Sequence, residues 1–437
     1  MIDFPIVKIG ELIESGEAEI QTGPFGTQLK ASDYSDHGYP VINVRNVGLG
    51  DVRTESLEFI DDRIAEKLPT HRLMQNDIVF GRKGAVERHG LITEAQEGWY
   101  QGSDCLRLRF NSSRINPKFI SYFFRTQAHQ DWMIAVCAFG ATMASLNQDI
   151  VKLINVPVPP IDIQNKIVGL LSTYDELIEN NKRRITLLEN MAEEIYREWF
   201  VRFRFPGWQK AEFEKGQPAG WTHQKIAGAF DFTGGGTPSK DNNSFWRNGD
   251  VDWYTPSDIT KSNSLFMASS EYQCNEEGLR RSSAKLFPAY SVMMTSRATI
   301  GAIGINTKPA CTNQGFITCI PNDRYPLTYL YHWLKAAKPH FEMLSGGATF
   351  PELTKSTFKR IEILSPDQGV IEKFDELVSP IFKQIESLAA QNQKLEQTKN
   401  QLLPRLISGK LSVENLDIQL PPSMQSDQPD RADEAAA

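Results

Sequence analysis

Cysteine is scarce in this chain. Five residues in 437, Cys105, Cys137, Cys274, Cys311 and Cys319, are odd in number and widely scattered. They have neither the close pairing of a zinc site nor the density of a disulfide framework, so reduced thiols in a cytoplasmic protein are expected. No run of 18 apolar residues occurs and no basic segment followed by an apolar core opens the chain, so neither membrane spanning nor secretion is expected. Nucleotide chemistry lacks its motifs as well. Neither GPFGTQ nor GGGTPS has the Gly, four spacers, Gly-Lys-Ser/Thr pattern, and no glycine-rich strand-to-helix turn of the dinucleotide or methyl-donor type is present. The Asn-Pro-Pro-aromatic signature of amino-methyltransferases is missing, since VPPI and SPDQ carry the wrong residues. PDQGVIEK, from Pro366, has a nuclease-like carboxylate and lysine, but it opens a helix, where acidic caps are common. The seven histidines form no motif. Positive charge is also in short supply, with 47 Lys and Arg against 54 Asp and Glu and a formal net charge of −7. That excludes a protein basic all over, not one with local basic patches. No catalytic residue and no metal ligand is assigned, and the expectation is a protein that positions rather than reacts.

What is present is a repeat. FGATMASLNQDIVKLINVPVPP, from Phe139, matches GGATFPELTKSTFKRIEILSPD, from Gly346; Gly140, Ala141, Thr142, Leu146, Lys152, Ile154 and Pro159 recur 207 positions later. Each copy runs into a heptad stripe, which needs a partner helix along its length. The first collects Ile167, Leu171, Tyr174, Ile178, Asn181, Ile185, Leu188, Ala192, Ile195 and Trp199. The second collects Phe374, Val378, Ile381, Ile385, Leu388, Asn392, Leu395, Lys399, Leu402 and Leu406.

Each helix leads away from one globular unit toward the other, so the expected pairing is antiparallel. Placing Asn181 opposite Asn392 sets the register, with facing residue numbers summing to 573. Ile167 then meets Leu406, Leu171 meets Leu402, and Trp199 meets Phe374, while Tyr174 with Lys399 is the one mixed layer. A single polar pair in the seam costs stability but selects register, because a slipped alignment buries unpaired amides.

The boundaries follow: residues 1–158 as a first β-rich unit, 159–206 as a spacer helix, 207–365 as a second β-rich unit, 366–410 as a second spacer helix and 411–437 as a disordered, acidic, proline-containing tail. The first helix, roughly 36 residues, would be about 54 Å long. Pro404 is expected to disturb the second helix near its end and Gly409 to stop it. In the first unit, GYPVINVRNVG and NDIVFGRKGAVERHGLI read as strand and hairpin, the hairpin with a basic tip at Arg82, Lys83 and Arg88. Such a tip suits a polyanion, and equally a solvated turn. TGPFGTQLKASDY, with Lys30, and DFTGGGTPSKDNNSFW, with Lys240, occupy corresponding places. NPKFISYFFRTQAHQDWM and YPLTYLYHWLKAAKPHFEML each read as one amphipathic helix whose aromatics are core rather than a stacking platform.

The whole arrangement resembles the specificity subunit of Type I restriction-modification systems. The residues that carry the resemblance are GATMASLNQDIVKLINVPVPPIDIQNKI, the helix end EWFVRFRFPGW, then GWTHQKIAGAF, GGGTPSKDNNSFW, DVDWYTPSDI and GGATFPELTKSTFKRIEI, and it extends to about Leu411. It departs from an even repeat where the second copy has SPDQ for VPPI and GGGTPS for GPFGTQ. The resemblance implies an α+β fold of two target-recognition domains joined by two long antiparallel coiled-coil helices with an internal pseudo-two-fold repeat. It implies that each domain reads half of an asymmetric, bipartite double-stranded DNA target and directs adenine methylation and restriction by partners. Those partners are two methyltransferase subunits and restriction/translocase subunits, and S-adenosylmethionine, ATP and magnesium would belong to them, with no cofactor on this chain. On this reading the DNA contacts are Lys30, Arg45, Arg82, Lys83, Arg88, Gln101 and Ser103 in the first domain. In the second they are Lys240, Tyr254, Thr255, Ser257, Arg297, Asn313 and Gln314, because arginine and amides read base edges while lysine meets phosphate. The competing readings are a two-headed adaptor bridging protein partners, which the net acidity suits, and a subunit with its own nuclease or methyltransferase activity, which the absent motifs oppose.

Overall fold

The computed structural model describes residues 4–138, 144–262, 264–346 and 351–418. The recurrence of Gly140, Ala141 and Thr142 as Gly347, Ala348 and Thr349 lies outside the described residues, as do residues 419–437 of the acidic tail. Two compact units account for the chain, one built from 1–177 and 395–437, the other from 178–394.

The units repeat one topology. In the first, a five-stranded sheet runs in the order Ala18–Thr22, Cys105–Phe110, Ile78–Gly81, His89–Leu91 and Leu49–Gly50. In the second the order is Phe232–Gly234, Phe316–Cys319, Val292–Arg297, Thr299–Asn306 and Phe266–Met267. Both sheets are antiparallel except at the last pair, which is parallel. The expected hairpin is there: Ile78–Gly81 pairs antiparallel with His89–Leu91. A smaller sheet accompanies each, and its register makes the repeat exact at single residues, with Ile42 beside Gln101 in one unit and Tyr254 beside Thr312 in the other. Tyr254 is therefore the counterpart of Ile42, and Thr312 that of Gln101.

Each expected aromatic helix is two helices, Pro117–Phe124 with Gln127–Ala138, and Leu327–Ala336 with Lys338–Met343. The second break falls just before Pro339, which donates no backbone hydrogen bond. Their aromatics are core as expected: Phe119, Tyr122, Phe124, Tyr329 and Trp333 are all buried.

The first long helix is Ile161–Tyr196, widening at Arg197–Val201 into a π turn in which Arg202 N–H donates to Arg197 O at 2.8 Å. The extra residue carries Phe200 into the core, where it meets Tyr329 edge-on at 4.8 Å and Phe374 at 5.0 Å. The second long helix, Gln368–Ile407, passes through Pro380 and Pro404 without a break, so the expected disturbance at Pro404 does not occur, and it ends before Gly409 at φ 71°. The helix starts are held differently. In the first, the buried Gln164 side chain donates to Arg114 O and Pro159 O and accepts from Asn116 N–H. In the second, where Ile371 replaces that glutamine, Arg324 reaches Ser365, Pro366 O and Gln368 instead.

The register matches the seam at both ends of the second unit. Asn181 Nδ2 donates to Asn392 Oδ1 at 2.9 Å, Asn392 Nδ2 donates to Ile178 O at 3.3 Å, and Trp199 packs edge-on against Phe374 at 5.8 Å. Each amide is over 90% buried, so an unpaired one would forfeit its solvation. Asn392→Leu, which strands Asn181, is expected to lower stability by about 1–3 kcal/mol in urea unfolding. An N392L chain as stable as the parent would show that the pair does not hold the register.

In the first unit, Ile167, Leu171 and Leu406 are fully buried in one core. The mixed layer resolves there into a charge cluster. Lys399 Nζ reaches Asp175 Oδ1 at 2.7 Å, and Asp175 Oδ2 accepts from Tyr122 Oη at 2.7 Å and from Arg125 at 3.2 Å. Tyr174 takes no part. The residues just past the second helix are not the start of a disordered tail: Val413 is buried, and Leu411 and Ile418 pack beside it on the same core.

Candidate nucleic-acid interface

Three loops converge at one end of each large sheet, because backbone hydrogen bonds tie them to one another. In the first unit Gly23 N–H donates to Cys105 O, Gly102 N–H to Ile42 O at 2.9 Å, and Arg82 N–H to Asp104 O at 2.8 Å. In the second, Gly236 N–H donates to Thr312 O, Asn313 N–H to Tyr254 O at 3.0 Å, and Ser296 N–H to Gly315 O at 2.8 Å. The glycine loops GPFGTQ and GGGTPS share one constraint despite their different sequences. A Cβ at Gly23 would sit 1.9 Å from Gly102 O, and one at Gly235 would sit 2.0 Å from Asn313 O. Only glycine allows that approach.

On this platform Arg82 lies over the exposed Phe25 ring at 5.5 Å, and the neighbouring Lys83 pairs with Asp104 at 3.0 Å. Ser103 lies beside them, half-buried. Arg45 pairs with Glu58 at 2.9 Å and Arg88 with Glu87 at 3.6 Å, while Lys30 is exposed. In the second unit Lys240 sits over Trp253 at 5.6 Å, and Trp253 Nε1 in turn donates to Gly236 O, which holds the glycine loop down. Ser257, Arg297, Asn313 and Gln314 line one cleft of about 310 Å³.

Three of the expected contacts are structural instead. Gln101 is fully buried and its amide donates to Gln21 O and Cys105 O, which joins strand to loop. Tyr254 is 1% exposed and its hydroxyl donates to Met267 O. The Thr255 hydroxyl is held by Asp258 Oδ2 at 2.6 Å, where the pair caps a short helix. The sequence reading missed Thr260 and Thr299, which also line the cleft, and Thr237, whose hydroxyl donates to Gln314 Oε1 at 2.7 Å. Thr237 stands directly after the three glycines, so its place in a ligand-facing loop was readable; its partner, 77 residues on, was not.

The platform is not strongly basic on its face, since Arg45, Lys83 and Arg297 each hold a carboxylate, Arg297 through Glu352 at 2.8 Å. Those pairs are solvent-exposed on both sides, so each is worth about 0–1 kcal/mol and is readily exchanged for a phosphate or a base edge. Among the described residues no group of His, Cys, Asp and Glu could hold a metal ion, and no helix is long and apolar enough to cross a membrane.

Comparison with known proteins agrees with this arrangement. The Type I restriction modification DNA specificity domain matches residues 1–190 and 218–397, one copy in each half of the chain. The chain is 33% identical over 204 residues to the MjaIX specificity subunit of Methanocaldococcus jannaschii, a match covering 45% of this chain and 46% of that one. It is 23% identical over 444 residues to the HindI specificity subunit of Haemophilus influenzae, covering 86% of this chain and 95% of the relative. Its fold is similar to the crystal structure of a Type I restriction-modification S subunit from M. genitalium, with a TM-score of 0.58, 16% identity and coverage of 93% and 96%. With the domain matched in both halves and the same topology built twice, the chain belongs to the Type I restriction modification DNA specificity family, as a non-catalytic specificity subunit.

Proposed function

We propose that the two units of this cytoplasmic chain each read one half of a split, asymmetric duplex DNA target. Adenine methylation and restriction are then performed by two methyltransferase subunits and by restriction/translocase subunits assembled on it. The observation that carries this reading is that one backbone platform displays different chemistry in the two units. Where the second unit has Asn313 and Gln314, the first has Gly102 and Ser103, set by the same hydrogen bond from the loop to the smaller sheet. A shared platform with unlike side chains suits two unlike half-sites, because base identity is read by side chains at groove edges. Lys30, Arg82, Lys83, Arg88 and Lys240 serve phosphates or guanine, and Arg45 and Ser103 flank them. The two long helices run from one unit into the other, so their length sets the unread gap.

Methylome sequencing of a host with and without the chain tests the reading. A bipartite methylated motif is expected to vanish on deletion, and a heptad added to both helices is expected to lengthen the gap while both half-sites stay the same. A methylome that does not change on deletion would overturn it, and an unchanged gap would overturn the role of the helices.

A further inference from the structure

We propose that the cleft of the second unit reads an acceptor-only base edge, the O6 and N7 of guanine, through donors on Asn313, Gln314 and Arg297. The second half-site of this chain then carries a guanine at the position beneath that cleft. The inference rests on the DNA-reading function proposed above and deepens it.

The argument is one of hydrogen-bond direction. An amide side chain reads adenine in the major groove by offering one donor and one acceptor together, to N7 and N6, whereas guanine presents two acceptors there. The Asn313 acceptor is already engaged within its own loop. Its Oδ1 takes the backbone N–H of Gly315 at 2.9 Å, and a backbone N–H can face only the oxygen of the amide, so the Nδ2 donor is the free end. Gln314 Oε1 accepts from the Thr237 hydroxyl at 2.7 Å, which turns Nε2 outward, but a hydroxyl both donates and accepts, so it is Asn313 that fixes the direction. Arg297 donates through Nε to Glu352, which leaves its terminal amino groups, also donors. No carboxylate lines the cleft, so the acceptor suited to the N4 amino group of cytosine is missing there, while the hydroxyls of Ser257, Thr260 and Thr299 serve as donors or acceptors alike. Thymine offers these donors one acceptor and leaves another donor unpaired. Guanine satisfies both.

The first unit cannot read its half-site this way. The residues at the positions of Asn313 and Gln314 are Gly102 and Ser103, and the counterpart of Thr312 is the buried Gln101, whose amide is spent on Gln21 O and Cys105 O. The donor pair belongs to the second half-site alone.

The test uses the full chain in complex with its methyltransferase partner, selecting bound duplexes from a library with randomised half-sites. Gln314→Ala identifies which half belongs to the second unit. Asn313→Asp keeps an oxygen for the Gly315 N–H and turns the outward donor into an acceptor. Its expected result is a preference at one position that moves from guanine to cytosine, with about 10- to 100-fold weaker binding of the parental duplex and the other half-site unchanged. Asn313→Ala is expected to lose discrimination at the same position without gaining cytosine. A second half-site with no guanine, or an N313D motif identical to the parental one, would overturn the inference while leaving the DNA-reading function intact. Enrichment of no bipartite motif at all would overturn the function itself.

Discussion

Phe374→Ala is expected to destabilise the second unit by about 3–5 kcal/mol, the range for truncating a large aromatic in a core that only partly relaxes. Phe374 is fully buried and is the hub of the aromatic cluster that packs the second long helix against the first and against Leu327–Ala336. Its ring lies 5.0 Å from Phe200, 5.8 Å from Trp199 and 6.0 Å from both Tyr196 and His332. Four flat neighbours from two elements cannot close around an alanine without leaving rotamer minima, so most of the void persists. Trp199 also supplies a fluorescence report of the site. In urea the transition of the second unit should shift strongly, and Phe374→Leu should lose much less, because it keeps most of the volume. A loss under about 1 kcal/mol for the alanine variant would show that the helix is held elsewhere.

The second large effect lies at Asp175. Removing its carboxylate with Asp175→Ala deprives Lys399 and Arg125, each 19% exposed, of the counter-charge they share, and leaves the Tyr122 hydroxyl only Ser172 at 3.3 Å. A fully buried pair broken this way costs about 3–5 kcal/mol. The Asp175 side chain is 32% exposed, so water offsets part of that and about 2–3 kcal/mol is expected. The pH dependence identifies the charge. Burial pushes the Asp175 carboxyl up, but Arg125 and Lys399 together outweigh it and hold the group below its ordinary range. A carboxyl with a depressed folded value contributes stability above its unfolded pKa, about 3.9, and loses it as pH falls below that toward the folded value. Thermal melts of the first unit should therefore show an acid slope below about pH 4 that is smaller in Asp175→Asn. An unaltered slope would assign the acid sensitivity to other groups. The second unit does not repeat the cluster at the corresponding place: Phe382 stands 207 positions after Asp175 and packs against Tyr331 at 5.4 Å.

The adaptor reading loses ground on the same grounds that support DNA reading. A protein-bridging platform gives no reason for two copies of one backbone to differ at the residues their loops present.

The sequence by itself determined the repeat, the two long helices and their register. Those are periodic features: heptad spacing, a lone asparagine in each seam and proline or glycine at the ends act locally, or between two helices whose geometry is known in advance. The facing of Asn181 with Asn392 and of Trp199 with Phe374 follows from counting alone. What only the tertiary structure decided is which polar residue near a loop faces solvent. Gln101 and Asn313 look equally available in the sequence, yet one is spent on buried carbonyls and the other presents a donor. That choice depends on hydrogen bonds between strands some 60–80 residues apart, such as Asn313 N–H to Tyr254 O and Gln101 to Gln21 O. No local pattern encodes such a bond, because its acceptor is set by sheet order. Composition named the chemistry of the interface, and long-range backbone pairing chose the atoms that carry it.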